Sequence, residues 1–469
     1  MTAGNENASD GRAGTAARPR LSYAQARIWL LNQMTGPDPQ YNVPLVLRCR
    51  HEVDADALRA AFLDVLLRHE ILRTSYRLVE GRAVQDVLPA AMLGGVLSVE
   101  RQTESSLAAR IAELSAHGFA LDAEAPLRAW LISTDSTDST DSAGDVLVIV
   151  IHHIAVDGAS LRPLLRDLGT AYAARLSRTE PAWQPLPLHY TDYASWQQEL
   201  LGEKDDPESL SARQLAHWCE KLARLPVETP LPVDRQRSSA AVNFDAKSVP
   251  VLFSAESHRL VENLARAERV VPSTVFKAAV AAFLSRVGAG DDIPLAGFVS
   301  GRADAALDDL VGFFVNTVVY RVDTSGDPTF RDLVRRVRVV EFDAYANQDV
   351  PFDEVVRALK PPRSSKRHPL AQVAVSYEYP VAYEIPALDV DVEPGDNLRA
   401  KFDLSLRIEP RSDSSGAPAG IFMNWRYAAA LFETRTVEVL VAQFAGFFEA
   451  ALRDADQRVR KVAEDVFDR

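Results

Sequence analysis

The sequence predicts a mixed α/β or α+β chain folded as a pseudo-dimer of two similar lobes, and three observations carry that expectation. Its 469 residues exceed one ordinary domain, because compact units run at roughly 100–200 residues and the length suggests about two to four of them. Helix-like and strand-like apolar patterns are mixed in both halves and repeat the same grammar. A proline-rich stretch, EPAWQPLPL over residues 180–188, stands between the halves as a connection. The expected division is a tail over 1–17, an N-terminal lobe over 18–184 and a C-terminal lobe over 185–469.

The first twenty residues are polar and rich in Gly, Ala and Asn, without the apolar stretch of a signal peptide, and read as a disordered tail. Over 23–34 apolar residues recur at helical spacing (Ala24, Ile28, Leu31), with Ser22 placed as N-cap. Residues 44–49 read as a strand and 55–68 as a helix, with Leu58, Phe62, Val65 and Leu66 on one stripe. The segments 127–132 and 146–154 are short and apolar, and the Ser-Thr-Asp repeat between them, over 133–142, cannot bury surface and reads as a mobile hairpin loop. Residues 146–151 are apolar on both faces, as in a strand covered on both sides. A helix from about Ser160 places Leu161, Leu164, Leu165 and Leu168 on one stripe, so that His152 and His153 occupy a strand-to-helix turn. The second half carries helices near 257–269, 274–286, 329–345 and 434–453, and strands near 293–299, 316–321, 370–377 and 421–426.

Composition excludes several functions. With 52 Lys+Arg against 65 Asp+Glu the net charge is −13, and no Lys/Arg-rich tract occurs, which argues against nucleic acid and against anionic membrane surfaces. Cys49 and Cys219 are the two cysteines, too few for a disulfide framework or a thiolate metal site, and are expected as reduced core residues. The apolar run at 146–151 is far short of the roughly 18 residues of a membrane-spanning helix. The chain reads as cytoplasmic.

The chemistry points to His152-His153-Ile154-Ala155-Val156-Asp157-Gly158. Adjacent residues at the end of a strand face opposite sides, so one histidine is free to face a cleft while its neighbour is structural. A neutral imidazole, with an ordinary pKa near 6.5, can take a proton from an attacking amine or hydroxyl. Asp157 could orient the turn through an ion pair with an arginine, and Gly158 suits close backbone approach or a positive φ. No HxxxH or HExxH spacing supports a metal, and no G-x-S-x-G elbow supports a serine hydrolase.

That motif stands in an ordered series: Ser22-Tyr-Ala-Gln-Ala-Arg-Ile-Trp29, Arg68-His-Glu-Ile-Leu-Arg-Thr-Ser-Tyr76, His152 to Gly158, Tyr190-Thr-Asp-Tyr-Ala-Ser-Trp196, Val311-Gly-Phe-Phe-Val-Asn-Thr317, Asn347-Gln-Asp-Val-Pro-Phe352 and Arg367-His-Pro-Leu370. The series closely resembles the core motifs of condensation domains of nonribosomal peptide synthetases, from about Leu21 to the end of the chain. The resemblance implies a V-shaped pair of chloramphenicol-acetyltransferase-like lobes with a tunnel between them, and an acyltransferase that forms an amide or ester. A carrier protein would bring the donor as an aminoacyl thioester on phosphopantetheine, and no metal, nucleotide or redox cofactor would be required. It implies His153 as the catalytic histidine, His152, Asp157 and Gly158 as its support, Arg73 as the partner of Asp157, and Trp196 and Asn316 as cleft or packing residues.

The pattern is not followed throughout. Ala159 stands where the family often has Trp, Asn347 where His is frequent, and His368 where Asn is commoner. LSYAQARIWLL with Tyr41-Asn-Val-Pro44 looks like the subtype that joins an L-configured donor to an L-configured acceptor. The resemblance leaves two contexts, a domain of a larger synthetase or a free-standing enzyme such as those of enediyne antibiotic assembly, which take a soluble amine or alcohol. The sequence inclines toward the second. An epimerase relative and a non-catalytic recruitment module of the same fold are the competing readings.

Overall fold

The computed structural model describes residues 19–93, 95–135, 144–237, 245–362, 364, 367–381, 383–394 and 399–464. The expected N-terminal tail and residues 136–142 of the expected polar loop lie outside them.

The first half contributes strands β1 (Asn42–Cys49), β2 (Thr74–Val79), β3 (Arg82–Val87), β4 (Leu97–Thr103), β5 (Leu127–Asp135) and β6 (Val146–His152). Its helices are α1 (Tyr23–Thr35), α2 (Ala55–Arg68), α3 (Glu104–Ser115) and α4 (Leu161–Leu176). Local chemistry accounts for the ends: Ser22 caps α1 in a reciprocal capping box with Gln25, and the Asp54 carboxylate takes the N–H groups of Asp56 and Ala57 to start α2. Every residue of β6 is buried, as its two-sided apolar sequence requires.

The second half supplies α5 (Tyr190–Leu201), α6 (Leu210–Lys221), β7 (Ala246–Phe253), α7 (Ala255–Glu268), α8 (Pro272–Leu284), β8 (Asp292–Val299), β9 (Asn316–Asp323), α9 (Phe330–Ala346) and α10 (Phe352–Leu359). Strands β10 (Val373–Tyr377), β11 (Val390–Pro394), β12 (Leu404–Ser412) and β13 (Pro418–Ala428) follow, and α11 (Thr434–Arg453) comes after them. The strand expected at 370–377 starts only at Val373, because Leu370 turns the chain through a left-handed φ of 66°.

Besides a separate ribbon in which β2 and β3 pair, the two large sheets run β11-β1-β6-β5-β4 and β7-β13-β12-β10-β8-β9. Within them lies an internal repeat. The order β1-β6-β5-β4, antiparallel twice and then parallel, is matched by β7-β13-β12-β10 with the same directions. In each lobe a helix, α4 or α11, follows the second strand of the hairpin. This is the pseudo-dimeric, chloramphenicol-acetyltransferase-like architecture. At the end of β6, His152 opposes Asn42, while at the matching end of β13, Ala428 opposes Ala246 and is followed by Ala429 and Ala430.

A single cut at residues 184/185 makes no allowance for two excursions of the second half. Strand β11 adds to the open edge of β1, far from its sequence neighbours in the other sheet. Leu307, Leu310, Val311, Phe313 and Phe314 pack into the core of the first lobe, as do Tyr190 and Tyr193. Backbone pairing at a free strand edge and apolar burial decide the placement, and neither respects chain order.

Candidate active site

Strand β6 delivers the histidine pair. The His152 N–H donates to Pro126 O and the His153 N–H to Tyr41 O, so both flanking strands hold the turn. His152 turns inward and is 1% exposed, between the rings of Phe119 and Tyr41, with its Nδ1 accepting from the Ile154 N–H at 3.2 Å. Burial pushes its pKa down to about 3, with the charge of His153 adding to the effect. It is a neutral packing group.

His153 turns the other way and is half-buried. Its Nδ1 lies 2.7 Å from Val156 O, so Nδ1 carries the proton, and Nε2 is left as a lone-pair acceptor with no hydrogen-bond partner among the described residues. Burial, and then the nearby Lys401 charge, push its pKa down to about 4, against the pull of Asp157. Its ring packs on Phe313 at 4.6 Å.

Phe313 forms part of the wall of a cavity of about 300 Å³ between the lobes. Tyr23, Arg27, Trp196, Arg302, Asn316 and Phe352 are among its lining. Trp196 is 44% exposed there. Asn316 is a brace: its Nδ2 donates to the carbonyls of Gln348 and Val350, both at 2.8 Å, and its Oδ1 accepts from the Phe352 N–H at 3.1 Å.

Asp157 is 1% exposed and its partner is Arg302, at 3.1 Å, which corrects the expectation of Arg73. Arg73 instead donates to the carbonyls of Leu66 and Leu88 and pairs with Glu70, which ties the end of α2 to its own neighbourhood. Asp157 Oδ1 also accepts from the Ser160 N–H and hydroxyl, and Oδ2 from the Phe314 N–H. Arg302 stacks on the Phe314 ring at 4.0 Å and donates to Leu310 O. The Asp157–Arg302 pair thus closes the seam between the lobes. Gly158 has neither expected property: its φ is not positive and an added Cβ would meet nothing within 4 Å.

The other motifs meet at the same seam. Ser22 bonds the Tyr190 hydroxyl at 2.9 Å, and that hydroxyl donates to Phe313 O, behind the ring that faces His153. Gln25 Nε2 donates to the Tyr76 hydroxyl, and Arg68 and His69 converge on Asp167 of α4 at 2.7 and 2.9 Å. His368 stacks between Phe352 and Phe402. Arg302, Ser160, Lys401 and Arg27 were missed by sequence reasoning. Arg302 follows buried strand β8 in Ser300-Gly-Arg302 and carries no spacing signal that would join it to residue 157.

The sequence matches the condensation-domain family over residues 18–464, and the chain belongs to that family, the condensation domains of nonribosomal peptide synthetases. It is 42% identical over 451 residues to a dimodular nonribosomal peptide synthase of Bacillus subtilis, covering 95% of this chain and 19% of that protein. Among solved structures it is similar to the X-domain from teicoplanin biosynthesis, with a TM-score of 0.87 and 31% identity over 95% of this chain and 97% of that one. The first condensation domain of the calcium-dependent antibiotic synthetase shares the fold, with a TM-score of 0.73 at 17% identity over 96% of this chain and 99% of that one. Among the described residues no single helix is long and apolar enough to cross a membrane.

Proposed function

We propose that the protein condenses a carrier-tethered aminoacyl thioester with an amine or hydroxyl acceptor, in the cytoplasm. The observation that carries this reading is His153, with Nδ1–H fixed on Val156 O and Nε2 unpartnered among the described residues, its ring packed on Phe313, which lines a cavity built from both lobes. Binding both substrates there converts a bimolecular step into a local one, which can supply about 7–11 kcal/mol of the barrier. The acceptor nitrogen or oxygen attacks the thioester carbonyl, the tetrahedral intermediate collapses, and the phosphopantetheine thiol leaves with the proton that the nucleophile gave up. A pKa near 4 keeps Nε2 unprotonated at neutral pH but makes it a weak base, so its role is to accept a hydrogen bond from the nucleophile and hold it on line. Thioester aminolysis is downhill without help, and no metal, nucleotide or redox cofactor enters this scheme.

Mass spectrometry of acyl transfer from aminoacyl-carrier thioesters to soluble amines, alcohols and carrier-bound acceptors tests it. His153→Ala is expected to slow transfer by about 10²- to 10⁴-fold. Product with soluble acceptors supports a free-standing enzyme, and product only with carrier-bound acceptors a synthetase domain. A second reading rests on the likeness to the X-domain, which has been solved in complex with OxyB. Partner binding indifferent to His153→Ala, with no transfer by either protein, would establish recruitment instead.

A further inference from the structure

Lys401 lies on the crossing between β11 and β12 and is exposed. Among the described residues it makes no ion pair and no hydrogen bond, and its one polar engagement is with the ring of Tyr41, whose centroid is 4.5 Å from Nζ. Tyr41 is the residue whose carbonyl holds the His153 N–H, so the ammonium stands over a residue bonded to the turn that carries the imidazole. Its charge is felt at both His152 and His153.

The neighbouring cations are matched. Arg302 has Asp157, Arg27 has Asp353 at 3.6 Å, and Arg399 has Asp38 at 3.3 Å. Crowding by protein, and then the charges of Arg27 and Arg426, hold Lys401 down at a pKa of about 8. It is still mostly protonated at neutral pH. An exposed cation kept beside like charges leaves a positive potential that no carboxylate among the described residues neutralises.

We propose that Lys401 is a recognition residue for an anionic oxygen group carried into the cleft by substrate, either a carboxylate on the acceptor or the phosphate of the donor's pantetheine arm. The proposal rests on the condensation reading and adds a specificity determinant to it. A group placed on Nζ would take the position opposite the Tyr41 ring and anchor a substrate next to His153.

Lys401→Met and Lys401→Arg, compared with the native protein, test this with four substrates. The acceptors are an amino acid and its amide, and the donors are the carrier-linked thioester and its acetylcysteamine counterpart, which lacks phosphate. Lys401→Met is expected to raise KM about ten- to a hundredfold more for the anionic member of one matched pair than for its neutral counterpart, with Lys401→Arg restoring most of the difference. A preference confined to the acceptor pair assigns the carboxylate, and one confined to the donor pair the phosphate. Equal losses with all four, or no loss with any, overturn the proposal.

Calorimetric titration of phosphopantetheine against pantetheine, and of the amino acid against its amide, reads the same preference without turnover. Should the native protein transfer nothing, the condensation reading fails by itself. Binding that shows no Lys401-dependent preference for the anion then overturns this inference separately.

Discussion

The neutrality of His153 is set by what surrounds it, and it has a readable consequence. Burial and the Lys401 charge bring its pKa to about 4, so the imidazole keeps its lone pair well below the ordinary histidine value. The acid limb of kcat/KM is therefore expected below about pH 5, and a limb centred near 6.5 would sink the assignment of Nε2 as acceptor. Stability follows the same sign. His152, His153 and His368 sit at about 3, 4 and 3 when folded, so the unfolded chain takes up their protons first as pH falls through 6.5. Their contribution is intact above that pH and is lost as the pH falls toward 4, which urea unfolding across the range would register. Asp157 gives a second test. Arg302→Met strands a carboxylate that is 1% exposed, and is expected to cost about 3–5 kcal/mol in urea unfolding and to move the imidazole NMR signals of His153. Arg73→Met, which removes contacts to Leu66, Leu88 and Glu70, is expected to leave those signals in place.

Among elements, helix α4 shows how tightly the excursion from the second half is seated. A methyl group added at Gly169 would lie 2.4 Å from Pro386 N and 2.7 Å from the carbonyl carbon of Ile385, on the segment that leads into β11. Gly169→Ala is expected to cost about 1–3 kcal/mol and to raise amide exchange in β11, whereas Gly158→Ala, which meets nothing, should stay within about 0.5 kcal/mol of the native protein. Elements with strong local signals were legible from sequence: α2 has its stripe and an acidic cap, β6 is apolar on both faces, and α11 has long helical periodicity. Of the edge strands, β9 was legible at 316–321, but β4, β7 and β11 were not. In β4 the burial alternates weakly, and β7 carries Pro250 and exposed positions, as an edge tolerates. Strand β11 was the least legible, because its partner β1 lies more than 300 residues away and nothing in Val-Asp-Val-Glu-Pro announces it. The site divides in the same manner. His153 and Asp157 share a short motif, while Arg302 and Lys401 reach it only through the fold.

At the scale of the molecule, the two cores are joined by β11, by the segment around Phe313 and Phe314, and by the Asp157–Arg302 pair. These crossings are expected to make the lobes unfold together. Calorimetry should show one transition for the native protein and two for a variant combining Gly169→Ala with Arg302→Met, and two separate transitions in the native protein would show the lobes to be independent. The internal repeat carries a further consequence. Where the first copy ends its strand in His152-His153, the second ends in Ala428-Ala429, so the repeat carries an imidazole pair in one half alone. If the proposed condensation holds, a stoichiometry follows from that asymmetry: each chain would be a single workstation, joining one pair of building blocks at a time.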